Sequence, residues 1–300
     1  MFSRHDNLHS IIHHDINVLD SSMHYVQAGH GGQTMLFIHG MPTSSYVWRH
    51  VLPHLADRGT CIAPDLIGMG QSGKPNTQYT FKDHARYLEA FIQALDLNDI
   101  ILVMHGWGSI VGMQYAMANP DNIAGVVFSE AHIRPLESWE MLALPIQELA
   151  SLLEDPKKAY QAIVKDNYFM DVLLPHCVMR ELSDAEKATY TKPFARPGDR
   201  LLLWQYVQEL PLGQSDSPIT QLIASYTTWL EQSSIPKLIL YAMPGFATSV
   251  SSVSWALAHW PKTTAIDLPD ALHLAQESCP HLFVDGMVDW LDSEYNTKNV

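Results

Sequence analysis

The stretch LVMHGWGSIVG, residues 102–112, decides the fold. An apolar strand runs into a tight glycine-rich turn, and a helix begins at about Ser109. A strand that passes so abruptly into a helix presents the turn residue at the top of a sheet, where several enzymes carry a nucleophile. Here that position is Gly106, which has no side chain. A residue held at unfavourable dihedrals costs on the order of 1–3 kcal/mol, and glycine relieves that strain. Ser109 is no substitute, because it falls about one turn into the helix, below the cleft. His105 precedes the turn, which predicts a side chain pointing away from the site and a structural role.

Working outward, TMLFIHG (34–40), GTCIAPD (59–65), DIILVMH (99–105), IAGVVFSE (123–130), PKLILYA (236–242) and TTAIDLP (263–269) read as strands. Their continuous apolar character suits a parallel sheet buried on both faces. Helical stretches lie between them, such as TFKDHARYLEAFIQALDL (80–97), with apolar residues three and four apart. The alternation predicts a doubly wound α/β sheet. It breaks between about 134 and 233, where Trp, Pro and helical patterns replace strands. EDPKKAYQAIVKDNYFMDVLLP (154–175) and LSDAEKATYTKPF (182–194) each read as a helix opened by an Asp or Ser cap. The organisation expected is a core from 1–133 and 234–300, interrupted by a helical cap over 134–233.

The chain has 300 residues, 47% apolar, with a formal net charge of -14. Phosphates require a basic face, so nucleic acid is not expected as a partner. No run approaches the ~20 apolar residues of a membrane helix, so no membrane span is expected, and the N-terminal stretch is not expected to act as a cleavable leader. Three widely spaced cysteines, Cys61, Cys177 and Cys279, read as buried thiols of a reducing, cytoplasmic compartment. A monomer is the default expectation.

Five blocks resemble the haloalkane dehalogenase family, to which the Renilla-type luciferases are related. HGMPTSSYVWRHVLPHLA (39–56) resembles HGNPTSSYLWR, and PDLIGMGQSGKP (64–75) resembles DLIGMGxSxKP. VMHGWGS (103–109) resembles VxHDWGS, EAHIRP (130–135) resembles EFIRP, and ALHLAQESCP (271–280) resembles GLHYLQEDxP. The resemblance implies an α/β-hydrolase fold with a mostly parallel eight-stranded sheet and an inserted cap. It also implies a base at His273, its orienting acid at Glu130, and an indole N–H donor at Trp107. Two positions depart from the family: Gly106 replaces its nucleophilic Asp, and Met41 replaces its halide-binding Asn. Glu130 has support of its own. The segment after the seventh strand, AMPGFATS (242–249), has no acid, whereas VVFSE ends at Glu130 on the edge of the sheet where ligands bind.

GMGQSG (68–73) satisfies GxGxxG, but no early βαβ unit or suitably spaced acid accompanies it, so the loop-after-strand-four reading is preferred. Asp65 is expected to brace that loop. His5, His9 and His13 recur four apart, a spacing that on a helix would offer Zn²⁺ a face. The preferred reading is a solvated N-terminus with no metal, and no cofactor is expected. Trp139, Phe169, Leu173, Leu174, Cys177 and Leu212 from the cap, with Met41, Phe246 and Leu274 from the core, outline an apolar pocket for a small organic substrate.

Three functions fit this pattern. The His273–Glu130 pair acts as a general base for elimination, isomerisation, cyclisation or a related non-covalent reaction. Alternatively, the chain is a dehalogenase whose elbow Asp has been replaced by Gly106, though the second departure at Met41 argues against that. As a third reading, it is a non-catalytic binding protein that keeps the pocket.

Overall fold

The computed structural model describes residues 9–136, 138, 142–211 and 216–295. Eight strands form one sheet: β1 (Ile12–Val18), β2 (Ser21–Ala28), β3 (Gln33–Ile38), β4 (Gly59–Pro64), β5 (Ile100–His105), β6 (Ile123–Ser129), β7 (Lys237–Pro244) and β8 (Thr263–Ala271). Their spatial order is β1-β2-β4-β3-β5-β6-β7-β8. β2 runs antiparallel to β1 and β4, and every other pair is parallel. All six residues of β5 are buried, as a strand covered on both faces requires. The chain moves from β3 outward to β4 and then crosses back to β5. That reversal opens a crevice beyond the C-terminal ends of β3 and β5, the usual ligand position in an open α/β sheet.

Helix Gly108–Ala118 leaves β5 directly and is buried on nearly every side, including Ser109, Ile110, Val111 and Met113. It packs against helix Phe81–Ala94, which Thr80 and Asp83 open with a reciprocal capping box. It also packs against helix Pro218–Gln232, which the sequence reading included in the inserted segment. The helix lies so close to β3 that a Cβ on Gly108 would come within 2.5 Å of the Ile38 carbonyl oxygen.

The insertion contributes helices Leu144–Leu153, Pro156–Tyr160, Asp184–Thr191 and Leu201–Glu209. The caps expected at Asp155 and Ser183 are present: Asp155 accepts from the amides of Lys157 and Lys158, and Ser183 forms a capping box with Glu186. The single helix expected over 154–175 is instead broken. After Pro156–Tyr160 the chain widens into a π turn, Gln161–Lys165, and Asn167 adopts φ +59. Asn tolerates this left-handed conformation better than most residues, so the chain re-enters helix at Phe169–Leu173 in a new direction. A partly buried ionic cluster ties these helices to the core. Arg49 donates to Glu277 at 2.5 Å and to Glu186 at 2.6 Å, and Arg180 donates to both as well. The Glu277 side chain is fully buried, so these donors are what make its charge tolerable.

Asp65 braces the GMGQSG loop. It is buried, accepts from the amides of Ser45 (2.7 Å) and Gln71 (2.8 Å), and pairs with His24 at 2.8 Å. Burial alone would raise its pKa, but the hydrogen bond from His24 and the neighbouring His39 hold it below the usual carboxylate range. Gly70 turns at φ +54, and a Cβ there would sit 2.1 Å from Asp65 Oδ2. Gly70, the middle glycine of this motif, therefore faces the protein's own carboxylate, while Gly68 packs against Leu202 and Tyr79 and Gly73 against Ser21 and Ser22. Gly31 has a similar φ of +70 but nothing within 4 Å of a built Cβ. Gly31→Ala is expected to cost about 1 kcal/mol of conformational strain, and Gly70→Ala about 3–4 kcal/mol because the Asp65 clash is added. Urea unfolding of the two variants measures the difference; equal losses would show that contact with Asp65 is unimportant.

Candidate active site

The elbow follows β5 without a spacer. Gly106 adopts φ +51, and its amide donates to the Ser129 carbonyl of β6 at 3.1 Å. A Cβ built on Gly106 would lie 3.3 Å from His273 Nε2 and 3.8 Å from the Gly40 Cα. Position 106 therefore looks straight at an imidazole nitrogen, and glycine brings no attacking atom to it. Ser109 sits in the first turn of the helix, fully buried, with its hydroxyl donating to the Gly106 carbonyl at 2.7 Å.

His273 follows β8 by two residues. Its Nδ1 meets Glu130 Oε2 at 3.3 Å, and its ring stacks on Phe246 with centroids 5.8 Å apart. Glu130 is fully buried at the end of β6 and adopts φ +48. Its Oε2 also accepts from the amides of Phe246 (2.6 Å) and Ala247 (2.8 Å), while Oε1 meets no partner among the described residues. The acid-free AMPGFATS segment thus supplies two N–H donors to an acid that comes from β6. With Nδ1–H directed at a carboxylate, the lone pair of the neutral imidazole is left on Nε2, toward the elbow.

His105 does not point away from this group. It is fully buried, its ring centroid lies 4.6 Å from that of His273, and its Nε2 donates to the His273 carbonyl at 2.8 Å. Burial, and secondarily the charge of His273, drive its pKa well below the ordinary imidazole value. It is a neutral strut that fixes the loop bearing His273. His39 plays a similar part: Nδ1 donates to the Gly40 carbonyl at 2.8 Å, and Nε2 accepts from the Leu66 amide at 2.9 Å. Among the described residues, the amides of Met41 and Trp107 have no protein acceptor. Trp107 is also the N-cap residue of helix Gly108–Ala118, so its amide carries the positive end of that helix.

These groups border a cavity of about 50 Å³. A water needs roughly 10–15 Å³ by this measure, so the space suits a few waters or one small molecule. Met41, Gly106, Trp107, Glu130, Phe169, Leu173, Cys177, Phe246 and His273 all line it. Leu174 and Leu274, expected in the pocket, do not; both are buried elsewhere in the core. Phe169, Leu173 and Cys177 repeat every four residues on one helical face, and Leu174 is turned off that face. Leu274 is held by its amide, which donates to the Cys177 carbonyl at 2.8 Å. Trp139 and Leu212 lie outside the described residues. The sequence reading missed His132 and Tyr206, which also line the cavity. Tyr206 packs edge-on against Trp107 with centroids 4.9 Å apart, and burial raises its phenol pKa. His132 stands in a loop two residues beyond Glu130, and nothing in the sequence marked it or Tyr206 as cavity residues.

Ile12–Val18 is a strand, so His9 and His13 share no helical face, and His5 lies outside the described residues. His9 pairs with Asp57, and His13 with His24. Among the described residues, one group, His50, Glu186 and Glu277, has donor atoms close enough for a metal. Both carboxylates there are already neutralised by Arg49 and Arg180.

Residues 33–280 match the family model of the alpha/beta hydrolase fold. The haloalkane dehalogenase of Mesorhizobium japonicum is 37% identical over 278 residues, 92% of this chain and 90% of that protein. The coelenterazine h 2-monooxygenase of Renilla reniformis is 34% identical over 271 residues, 88% of this chain and 86% of its own. The crystal structure of the haloalkane dehalogenase DbeA from Bradyrhizobium elkani superposes with a TM-score of 0.90 at 33% identity, covering 95% of this chain and 98% of that one. On sequence and on fold alike, the chain belongs to the haloalkane dehalogenase family of α/β-hydrolase-fold proteins.

Proposed function

We propose that this chain is a cofactor-free acid–base catalyst that acts on a small apolar substrate without forming a covalent intermediate. The observation that carries this reading is the direction of His273. Glu130 engages its Nδ1, and Nε2 faces the unfilled position at Gly106, 3.3 Å from where a Cβ would be. In this reading His273 takes a proton from the substrate. The charge that develops is received by the unpaired amides of Met41 and Trp107, preorganised at a helix N-terminus. Elimination, isomerisation and cyclisation all need only these parts.

Displacement of halide from carbon requires an attacking atom at position 106 and halide donors. Gly106 supplies no attacking atom, and Met41 removes one donor. A protein that only bound its ligand would not need a buried glutamate aimed at an imidazole, a costly arrangement unless the charge is used or fully paired.

Bromide release from 1-bromobutane or 1,2-dibromoethane is expected to be absent. Gly106→Asp is expected not to restore it to a useful rate, because Met41 remains. Brisk halide release by Gly106→Asp would instead identify a dehalogenase that has lost one residue. General-base function is read from deuterium incorporation into small carbon acids such as cyclopentanone in D₂O, followed by NMR. His273→Ala is expected to lower this exchange by roughly 10²–10⁴-fold while ligand binding persists. Unchanged exchange in His273→Ala would refute the proposal, and binding without exchange in the wild-type protein would favour a storage or sensing role.

A further inference from the structure

Position 106 lacks the family's carboxylate, and two residues beyond Glu130 the same cavity has an imidazole that the block EFIRP does not contain. His132 lines the cavity together with His273, Gly106 and Trp107. Its backbone is clamped on every side. The Ala131 amide donates to Thr248 Oγ1 at 2.8 Å, and that hydroxyl donates back to the Ala131 carbonyl at 2.9 Å. The Tyr226 hydroxyl donates to the His132 carbonyl, and Thr227 Oγ1 donates to the Ile133 carbonyl at 3.1 Å. The ring, by contrast, is unspent: neither nitrogen meets a protein partner among the described residues, and neither is sealed into the protein. Burial, and then the charge of His273, bring its pKa down to about 4. A neutral imidazole offers one N–H donor and one bare nitrogen.

We propose that His132 donates its ring N–H to a substrate carbonyl oxygen, so that the substrate is a small apolar carbonyl compound with an acidic C–H beside that carbonyl. This rests on His273 acting as the base. In the step assigned, Nε2 of His273 takes the proton from the α carbon. The C–H electron pair becomes the C=C bond of an enolate, the carbonyl π pair moves to oxygen, and the N–H of His132 meets that oxygen. The proton then returns from His273 to carbon. A neutral donor suits this geometry, because His273 becomes a cation as the enolate forms and a second cation in the same cavity would be repelled. Neutral imidazoles serve as electrophiles in this way elsewhere.

The test uses cyclopentanone labelled with ¹³C at the carbonyl, with two readouts on the same samples: the infrared carbonyl band of bound ketone, and α-deuterium exchange. The wild-type protein and His273→Ala are expected to show a downshifted carbonyl band, since polarisation does not depend on the base. His132→Phe and His132→Leu, which lack a donor, are expected to lose most of the downshift, the amides of Met41 and Trp107 accounting for the remainder. They should also lose roughly 10²–10³-fold in exchange, in kcat rather than KM. His132→Gln is expected to restore part of both. A downshift that is undiminished in both donor-free variants, or its absence in wild-type protein, overturns the role of His132 and leaves the His273 reading untouched. A downshift that is lost only in the His132 variants, with no exchange in any protein, keeps the carbonyl contact and overturns the base reading instead.

Discussion

The site depends on one turn. β5 must hand the chain to helix Gly108–Ala118 within two residues, directly over the end of β3. The close approach at Gly108 leaves no slack, because any side chain there would strike the carbonyls of Ile38 and His39. Gly106 completes the turn at φ +51, a conformation that costs a non-glycine residue about 1–2 kcal/mol. Glycine avoids that strain, so the turn is made at little conformational cost and the helix N-terminus stays beside the amides of Met41 and Trp107.

A second constraint is the burial of Glu130. A carboxylate with no solvent contact has to be matched by donors. Two amides from the loop after β7 and the imidazole of His273 supply them. The loop can approach because Gly245 has no Cβ; one would lie 2.6 Å from Glu130 Oε1. Glu130 itself takes a left-handed φ to reach this nest. The acid, the loop and the base are therefore one packing unit. Removing Glu130 would orphan two buried amides as well as freeing the imidazole, so the pair cannot be read as two isolated side chains.

The sequence made the central strands legible, since β3 to β7 are largely apolar runs between turn residues and a sheet covered on both faces buries such runs, whereas β8 on the far edge is mostly half-buried or exposed. The β1–β2 hairpin was not legible in the same way. IHHDINV lies on the sheet edge, half exposed, and its polar, histidine-rich pattern reads as a solvated tail. The break at Asn167 was hidden because the periodicity on either side of it is helical. Phe169, Leu173 and Cys177 could be picked out as one face, whereas Leu174 is apolar for the core's sake. His132 went unremarked for a different reason. A histidine in a loop gives no sign of its surroundings until the fold shows that its backbone is clamped and its ring is free.

The unfilled position changes what His273 can reach. An aspartate at 106 would start from a Cβ about 3.3 Å from Nε2, so its carboxylate would occupy the space in front of that nitrogen. With glycine there, nothing at position 106 stands in front of that nitrogen. The Trp107 amide nitrogen lies on the Gly40 side of the same gap, 3.3 Å from where a Cβ on Gly40 would be, and Met41 follows Gly40 directly. With no side chain at 106, Nε2 of His273 stays open to the gap, which is the arrangement the proposed proton transfer requires.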